Sequence, residues 1–212
     1  MAKKLKRAVS VDELLKKKFT ELPLEGKWKD LLGLPERSGS WCIWGKSGHG
    51  KTTFNMQLAK YLTNFGKVEY NTLEEGARKS MQEAVRENRM HECRKGSFKI
   101  LNKLSIEEMK QHLRSRKSAK IMFIDSVQYT FIDKKGYKAL QREFPEVLFI
   151  WVSHAKGKEP MGTVAEAIMY DSDIKIHVEG FQAHSKSRLN RGTVAKPYTI
   201  WEEGAKNYHT VL

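Results

Sequence analysis

The sequence predicts an α/β fold with a mainly parallel central sheet, and three features of the chain support this prediction. A short apolar run at residues 41–44 passes directly into a glycine-rich stretch and then into an amphipathic helical pattern. Two further apolar runs, at residues 121–124 and 147–152, are separated from their neighbours by helical patterns. Strands that alternate with helices build βαβ units, whose parallel strands are buried on both faces. We therefore expect one buried sheet with helices packed against it.

The composition is strongly basic, with a formal net charge of +14 over 212 residues. This length fits one large domain, or one domain with appendages. An excess of basic residues indicates a polyanionic partner such as nucleic acid, because lysine and arginine neutralise phosphates. The alternative is that solvated lysines only keep the protein in solution. Since the basic residues recur in predicted loops as well as on helix faces, we expect nucleic-acid binding.

The chain shows no sign of secretion or of membrane insertion. No apolar run approaches the length of a membrane span, and the basic N-terminus lacks the apolar segment of a signal peptide. The two cysteines, Cys42 and Cys93, have no ligand-like neighbours, and Cys42 falls in a predicted buried strand. These features predict a cytoplasmic protein, of a bacterium or a phage-infected cell, with no membrane partner.

Residues 45–52 fill the phosphate-binding template G-x-x-x-x-G-K-[ST] at every fixed position. Glycines let successive backbone N–H groups point into one concavity, and the following helix adds its positive N-terminal end. The Lys51 ammonium can reach the β- and γ-phosphates, and the Thr52 hydroxyl can ligate Mg²⁺. A chance glycine-rich turn is the alternative, but a strand before and a helix after favour nucleotide binding. The predicted nucleotide-binding residues are Gly45, Lys46, Ser47, Gly48, His49, Gly50, Lys51, Thr52 and Thr53.

The region before this motif is predicted to hold a basic N-terminal segment and a lead-in to the core. The basic arm is followed by an amphipathic helix, whose capping box pairs Ser10 with Glu13. That helix could contact DNA, RNA or a neighbouring subunit, or it could pack on its own domain. Residues 22–39 are rich in Pro and Gly and are predicted as packed loops. The predicted units are the arm and helix at 1–21, the core at 22–204 and a polar tail at 205–212.

Beyond the motif, apolar periodicity and turn residues divide the chain into alternating helices and strands. The predicted helices begin near Lys51, Gly76, Ser105, Tyr137 and Thr163. The predicted strands lie at 67–72, 97–101, 121–124, 147–152, 174–178, 182–188 and 194–201. The last three of these are expected to be edge strands or hairpins. Loops are expected at 127–136 and at 155–162.

Asp125 follows a fully apolar run, a pattern typical of the Walker B strand. In a parallel sheet such a strand is buried, and the carboxylate emerges at its C-terminal edge beside the phosphates. Alone, four apolar residues and an aspartate are weak evidence, but here they lie downstream of a complete phosphate-binding motif. We therefore predict that Asp125 and Thr52 hold Mg²⁺, with Asp125 acting through water.

With these motifs placed, the chain resembles the RecA-like ATPases, especially their RadA and DnaB branches. The resemblance covers roughly residues 28–201, and its motifs keep the order and spacing of that family. They are residues 41–52, 70–75, 121–128, 152–154 and 186–192. The family implies a three-layer α/β/α P-loop fold with a mainly parallel central sheet and a C-terminal β-hairpin. It also implies ATP and Mg²⁺ as cofactors and ATP hydrolysis as the activity.

The resemblance implies roles for several polar residues near the phosphates. Glu74 matches the glutamate that activates the attacking water, and a carboxylate beside ATP and Mg²⁺ can orient or deprotonate water. Glu75 is the alternative for that role, and an acidic pair that only caps the next helix is another. His154 matches the polar residue that senses the γ-phosphate between the two Walker strands, although a lone histidine can equally be structural. Lys51 completes this predicted catalytic group.

Lys186 and Arg188 match a basic motif that, in relatives, reaches into the active site of a neighbouring subunit. A cation placed there would stabilise charge that develops on the transferred phosphoryl group. Arg191 is the fallback for this role, and a basic hairpin that contacts DNA or nothing is the alternative. The resemblance thus implies that both residues are catalytic and that the active form is a ring or a filament.

The loops after Asp125 and His154 match the two loops that relatives use to bind single-stranded DNA. The cations in these loops are Lys134, Lys135, Lys156 and Lys158. Tyr129 and Phe131 are available to stack on bases, although at least one of them is expected to lie in the core. Cations along a backbone track together with aromatic faces are what sequence-tolerant single-strand binding requires.

The predicted function is therefore a DNA-dependent ATPase that acts on DNA, single-stranded in the main interpretation, in replication, recombination or repair. Hydrolysis is expected at a subunit interface. One alternative is an ATP-switched DNA-binding assembly factor with little turnover. Another is a small P-loop kinase, for which no clear lid is visible between the Walker motifs. We expect a compact version of the family without the extra domains of larger relatives, which fits a phage or mobile-element protein.

Overall fold

The computed structural model describes residues 7–189 and 195–210 and shows a sheet covered by helices on both faces. The helices are α1 Val11–Lys16, α2 Gly26–Leu32, α3 Lys51–Leu62, α4 Lys79–Glu87, α5 Ile106–Leu113, α6 Lys134–Glu143, α7 Thr163–Asp171 and α8 Glu202–Thr210. The strands are β1 Gly39–Gly45, β2 Val68–Thr72, β3 Phe98–Asn102, β4 Ile121–Asp125, β5 Leu148–Lys156, β6 Glu159–Pro160, β7 Ile174–Glu179, β8 Gln182–Ser187 and β9 Tyr198–Thr199. None of the described helices is long and apolar enough to cross a membrane. Most of the basic N-terminal arm, and Arg191, lie outside the described residues.

The central sheet has the strand order β3-β2-β4-β5-β1-β7-β8-β9. In this order, all pairings from β3 to β7 are parallel. Strand β8 then pairs antiparallel with β7, and β9 pairs antiparallel with β8. The short strand β6 pairs antiparallel with the end of β5. This arrangement confirms the predicted mainly parallel sheet with a C-terminal hairpin. It also places β5 between β1 and β4, the strands that carry the two Walker motifs.

Two separate apolar cores, one on each face of the sheet, make the fold three-layered. Helices α2, α3 and α4 contribute to the first core, and helices α5, α6 and α7 to the second. Strand β1 contributes side chains to both cores, because successive side chains point to opposite faces of the sheet. Trp41 and Ile43 lie in the first core, and Cys42 and Trp44 lie in the second. A strand buried on both faces has no polar alternation, which explains why residues 41–44 of β1 form an uninterrupted apolar run.

The lead-in to the core contains a helix where we predicted loops. In α2, Trp28, Leu31 and Leu32 repeat at helical spacing and are buried. The Trp28 ring stacks on the rings of Tyr61 and Tyr198, with centroids 5.3 Å and 4.4 Å away. The prediction was wrong because the many Pro and Gly residues of this stretch lie at the ends of one short helix, and the apolar spacing inside it was the better signal.

Helix α6 begins three residues earlier than predicted, so Lys134 and Lys135 lie in its first turn and not in a loop. The Asp133 carboxylate accepts a hydrogen bond from the Gly136 N–H at 2.6 Å and caps the helix. A glycine inside a helix costs conformational entropy, but a side-chain cap of this kind contributes about 1 kcal/mol in the other direction. The cap therefore outweighs the glycine signal on which the predicted boundary was based.

Two other segments are more regular than the sequence indicates. The predicted loop at 155–162 is in part the β5–β6 hairpin, in which Ala155 pairs with Pro160. Helix α8 crosses the domain boundary that we predicted after residue 204. The buried residues of α8 are Gly204 and Ala205, and a Cβ atom on Gly204 would collide with the Trp201 ring. A helix that packs through such small residues has a weak apolar period, so the sequence does not reveal it.

Helix α1 forms around the predicted capping box. The Ser10 hydroxyl accepts a hydrogen bond from the Glu13 N–H at 3.2 Å, and the Glu13 carboxylate accepts one from the Ser10 N–H at 2.9 Å. The helix ends at Lys16, shorter than the apolar pattern that continues to Phe19, and none of its residues is buried. Its apolar residues, including Leu15, are therefore exposed in the described part of the chain.

We expect the substitution Trp28→Ala to lower the free energy of unfolding by about 3–5 kcal/mol, because it removes a buried ring and leaves a cavity. Urea denaturation followed by circular dichroism measures this change. The matched control is Leu34→Ala, two residues beyond α2, where the side chain is 38% exposed and the change should stay within about 0.5 kcal/mol. Equal effects of the two substitutions would show that α2 is not part of the core.

Candidate functional site

The phosphate-binding motif forms the turn between β1 and α3. Gly48 and Gly50 have positive φ angles of 80° and 88°, which residues with a Cβ atom rarely adopt. A Cβ atom on Gly45 would collide with the carbonyl oxygen of Val178 on the neighbouring strand β7. The glycines of the motif are therefore required by backbone geometry and by packing. The turn leads the chain directly into the first N–H groups of α3.

This turn borders a cavity of about 350 Å³ at the C-terminal edge of the sheet. The residues that line the cavity are Ser47, Gly48, Gly50, Lys51, Thr52, Thr53, Thr72, Glu74, Glu75, Asp125, His154 and Phe181. The structure thus brings most of the predicted nucleotide-binding residues together with both glutamates, Asp125 and His154. Gly45, Lys46 and His49, also predicted to bind nucleotide, are not among the lining residues.

The donor groups of the cavity fit a nucleoside triphosphate with Mg²⁺. The Lys51 ammonium and the N–H groups at the start of α3 suit phosphate oxygens. The Thr52 hydroxyl and the Asp125 carboxylate are oxygen ligands of the kind that Mg²⁺ prefers. Among the described residues, no group of three or more His, Cys, Asp and Glu side chains is arranged to hold a metal ion. A cation beside Thr52 and Asp125 would be held by these two side chains together with phosphate and water, as is usual for Mg²⁺.

Asp125 lies at the end of β4, where burial raises the pKa of its carboxyl to about 6. The Tyr70 hydroxyl donates a hydrogen bond to Asp125 Oδ2, and this bond and the charge of Lys51 limit the rise. Tyr70 is itself fully buried on β2 and accepts a hydrogen bond from the Asn55 amide at 3.3 Å. A desolvated carboxylate has lost water, so a nearby cation stabilises it.

Glu74 and Glu75 both reach the cavity, but they make different contacts. The Glu74 Oε2 atom lies 3.1 Å from Nε2 of His154 and accepts a hydrogen bond from the Ser126 hydroxyl at 3.4 Å. The Glu75 carboxylate instead accepts a hydrogen bond from the Ser80 hydroxyl at 2.8 Å, near the start of α4. Glu74 is therefore the glutamate that is held against the other polar groups of the site.

His154 lies on β5, between the two strands that carry the Walker motifs. It pairs in register with Gly45 of β1, at the start of the phosphate-binding turn. On the other side of β5, Val152 pairs with Asp125 of β4. The strand order thus places the His154 side chain between the phosphate-binding turn and the Walker B carboxylate.

The fifth residue of the phosphate-binding motif, His49, faces the C-terminal part of the chain and not the cavity. Its Nδ1 atom accepts a hydrogen bond from the Gly180 N–H at 2.9 Å, in the turn between β7 and β8. The Tyr208 ring of α8 packs edge-on against the His49 ring, with centroids 5.3 Å apart. His49 therefore anchors the phosphate-binding turn to the C-terminal hairpin and helix.

Lys186 and Arg188 do not reach the cavity of their own chain. Strand β8 leads away from the cavity edge, and Ser187 pairs with Ile174 at the start of β7. The Lys186 side chain is exposed. The Arg188 guanidinium donates a hydrogen bond to the Tyr170 carbonyl at 2.9 Å. Both cations thus lie on an outer surface of the chain, where a neighbouring molecule could meet them.

The two predicted nucleic-acid loops carry exposed rings and lysines, and one of the rings lies beside a residue of the cavity. Phe131 is 93% exposed and Tyr129 is 45% exposed, so the expectation that one of them lies in the core is wrong. The Tyr129 ring lies edge-on to the His154 ring, with centroids 6.5 Å apart. Lys156 and Lys158 are exposed on the β5–β6 hairpin. The reason for the error is that a short 3₁₀ turn, Val127–Tyr129, directs these rings outwards after Val127 has filled the core position.

Sequence reasoning assigned no role to three side chains that shape the site, which are Tyr70, Gln128 and Phe181. Tyr70 contacts Asp125 only because β2 and β4 pair in parallel, a relation that no local pattern reveals. The Phe181 ring closes the cavity at the hairpin turn, where a Cβ atom on Gly50 would lie 3.1 Å from it. Gln128 makes three hydrogen bonds around β5. Its position directly after the Walker B strand is the one signal that the sequence offers.

Comparison with known proteins identifies the fold through structure and not through sequence. No protein-family model and no curated protein matches the sequence. A KaiC-like protein from the hyperthermophilic archaeon Pyrococcus horikoshii superposes with a TM-score of 0.58 at 20% identity, over 81% of this chain and 89% of that one. The flagellar accessory protein FlaH from Methanocaldococcus jannaschii superposes with a TM-score of 0.57 at 14% identity, over 85% and 93% of the two chains.

A third solved structure, an ATPase domain, superposes with a TM-score of 0.53 at 16% identity, over 80% of this chain and 83% of that one. At 14–20% sequence identity, these superpositions show a common fold. This chain therefore has the RecA-like three-layer α/β fold, with a mainly parallel central sheet and antiparallel strands at its C-terminal side.

Proposed function

We propose that this protein binds ATP with Mg²⁺, hydrolyses it at an interface between copies of the chain, and acts on single-stranded DNA. The observation that carries the proposal is the placement of Glu74, whose carboxylate is held by His154 in the cavity that Lys51 and Asp125 also line. This arrangement supplies a phosphate-binding cation, a carboxylate for the metal and a second carboxylate for water.

Each group of the cavity has a separate task in this proposal. When bound, ATP and Mg²⁺ supply the bond that is cleaved and a divalent charge that offsets the charge of the phosphates. Lys51 binds phosphate oxygens, and Asp125 and Thr52 hold the cation. Glu74 orients the attacking water and accepts its proton. The contact between Glu74 and His154 keeps the carboxylate in position and links it to β5.

We expect Glu74→Gln to lower kcat for ATP hydrolysis by about 10²–10⁴-fold while nucleotide binding is retained, because a positioned general base contributes that factor. Glu75→Gln is the matched control, since its side chain is anchored to Ser80 and not to His154. It should lower kcat by less than about 10-fold. Phosphate release and the affinity for a fluorescent ATP analogue are measured on both variants.

Two outcomes of that comparison would contradict parts of the proposal. A larger loss of kcat in Glu75→Gln would transfer the role of base to Glu75. Turnover that is equally low in the unsubstituted protein and in both variants would favour the alternative of an ATP-switched assembly factor with little turnover.

The surface beside the cavity supports binding of a single strand. The exposed Phe131 and Tyr129 rings present π-faces on which bases can stack. The hairpin with Lys156 and Lys158 offers cations for the phosphate backbone. Both rings are therefore accessible to a partner. Lys134 and Lys135, in the first turn of α6, extend the basic surface.

We expect the exposed ring and the hairpin lysines to contribute to DNA binding in different ways. The double substitution of Lys156→Ala and Lys158→Ala should weaken binding of a labelled oligothymidylate and reduce the salt slope by about 0.7 for each lost phosphate contact. Phe131→Ala should cost about 1–3 kcal/mol for one lost stacking contact and leave the salt slope unchanged. Fluorescence anisotropy over a series of salt concentrations measures both quantities.

The control for this experiment is Lys117→Ala, an exposed lysine just before β4, at the end of the strand away from the cavity. It should leave affinity and salt slope as they are in the unsubstituted protein. If Lys117→Ala weakens binding as much as one hairpin substitution does, the attraction is due to overall charge and the hairpin is not a binding surface.

Self-association is the part of the proposal that rests on Lys186 and Arg188. Both are exposed, and neither lines the cavity of its own chain. A head-to-tail contact between copies would bring this surface to the cavity of the next chain, and such contacts generate rings or filaments. A cation that arrives from a neighbour would stabilise charge on the transferred phosphoryl group.

We expect a mixture of two inactive variants, Glu74→Gln and the double substitution Lys186→Ala with Arg188→Ala, to regain activity. In random equimolar oligomers, about 25% of interfaces join an intact Glu74 to an intact pair of cations across a head-to-tail contact. The control mixture of Glu74→Gln with Lys51→Ala should stay inactive, since both defects affect the same cavity. Steady-state ATP hydrolysis is measured, and no recovery in the first mixture would rule out an interfacial role for these cations.

A further inference from the structure

The side chain of Gln128 makes hydrogen bonds to three different points of the chain. Its Nε2 atom donates to the Ser153 hydroxyl at 2.8 Å and to the Met161 carbonyl at 2.7 Å. Its Oε1 atom accepts a hydrogen bond from the His154 N–H at 3.3 Å. Both amide donors and the carbonyl oxygen are therefore in use, so a change in any partner is felt by the other two.

The three partners of Gln128 belong to different parts of the proposed machinery. His154 lines the cavity and contacts Glu74. Met161 directly follows the β5–β6 hairpin, which carries the exposed Lys156 and Lys158. The Gln128 amide thus connects the end of β5 to the residue that follows β6, the second strand of the hairpin.

Gln128 also fixes the segment to which it belongs. It lies in the 3₁₀ turn directly after β4, one residue before Tyr129 and three before the exposed Phe131. The neighbouring Val127 is buried in the second core, so the base of this segment cannot move independently of the sheet. Residues 127–133, the part of the predicted nucleic-acid loop 127–136 that precedes α6, and the predicted loop 155–162 are therefore both attached to one side chain that contacts the backbone of His154.

We propose that Gln128 is a positioning residue that couples the nucleotide cavity to these two segments. Phosphate at the His154 ring shifts the end of β5, and the hydrogen bond from the His154 N–H carries that shift to the Gln128 amide. The amide then moves the carbonyl of Met161, and with it the hairpin, relative to Tyr129 and Phe131. This inference rests on the proposed function, which names ATP and single-stranded DNA as the two ligands. It adds that Gln128 is the residue through which binding of one ligand affects binding of the other.

The test measures the coupling between two ligands on the full chain. The affinity for a labelled oligothymidylate is determined with and without a non-hydrolysable ATP analogue, and the ratio of the two values is the coupling factor. We expect a factor within the usual range of about 5–150 for the unsubstituted protein. Gln128→Met keeps the length and volume of the side chain but none of its three hydrogen bonds, and it should bring the factor close to 1. Each separate affinity should stay within about 3-fold, since Gln128 contacts neither ligand.

The matched control is Gln57→Met on α3. Gln57 is also a partly buried glutamine, and it makes two hydrogen bonds to another segment, to the Ile200 carbonyl at 3.3 Å and from the Tyr198 hydroxyl at 3.0 Å. That segment, residues 198–200, belongs neither to the hairpin nor to the turn after β4. Gln57→Met should therefore keep the coupling factor of the unsubstituted protein. An unchanged factor in Gln128→Met, or an equal loss in Gln57→Met, would overturn the inference.

A second measurement does not depend on DNA. Amide hydrogen exchange is followed in segments 127–133 and 155–162 before and after addition of the ATP analogue. We expect nucleotide to change exchange in both segments of the unsubstituted protein and in neither segment of Gln128→Met. If the protein binds no oligothymidylate, the DNA part of the proposed function fails, and the exchange result alone decides the role of Gln128. If nucleotide leaves both segments of the unsubstituted protein unchanged, the coupling does not exist, even where DNA is bound.

Discussion

The site depends on the register of the parallel strands more than on any single side chain. Gly45 of β1 pairs with His154 of β5, and Thr72 of β2 pairs with Asp125 of β4. Because successive residues of a strand point to opposite faces, a slip of one residue in any of these pairings would turn a polar group of the site into one core or the other. The two apolar cores fix the register, since each slip would also expose apolar side chains. Packing of the sheet is therefore what holds the phosphate-binding turn, the Walker B carboxylate and His154 at one edge.

The same packing creates the electrostatic problem that the site resolves. Burial raises the pKa of Asp125 to about 6, and the hydroxyl of Tyr70 donates to the carboxylate from inside the sheet. Burial also raises the pKa of Tyr70, so that its hydroxyl keeps the proton it donates. The Asn55 amide donates to the Tyr70 oxygen, although its own Oδ1 atom has no hydrogen-bond partner. An unsatisfied buried oxygen costs about 1–3 kcal/mol, which a hydrogen bond to a charged group offsets. A polar chain from α3 to β4 thus aims the carboxylate at the cavity.

The parts of the site that could be predicted are those encoded in short stretches of chain. The phosphate-binding turn and Asp125 each follow an apolar strand, so local pattern alone fixes the element and the edge of the sheet. The orientation of His49 is different, because it depends on Gly180 and Tyr208, which lie far along the chain. The same limit applies to Tyr70 and Gln128, whose partners are chosen by strand order. In α2 and α6 the glycines suggested loops, whereas buried Trp28 and the Asp133 cap decide the structure there. Long-range packing and side-chain caps therefore account for the differences.

The charge of the cavity supports the proposal that the active form contains more than one chain. Three carboxylates, on Glu74, Glu75 and Asp125, line it together with one lysine, Lys51. A triphosphate that entered such a cavity would meet net repulsion, which the N-terminal end of α3 reduces only by a fraction of a charge. Magnesium offsets two of the charges, but charge that moves onto the leaving phosphate during hydrolysis needs a further cation close by. Lys186, near the end of β8, and Arg188, just beyond it, do not line the cavity of their own chain, and both are exposed. In the proposed head-to-tail assembly, the deficit in one chain and the surplus on the surface of the next would be complementary.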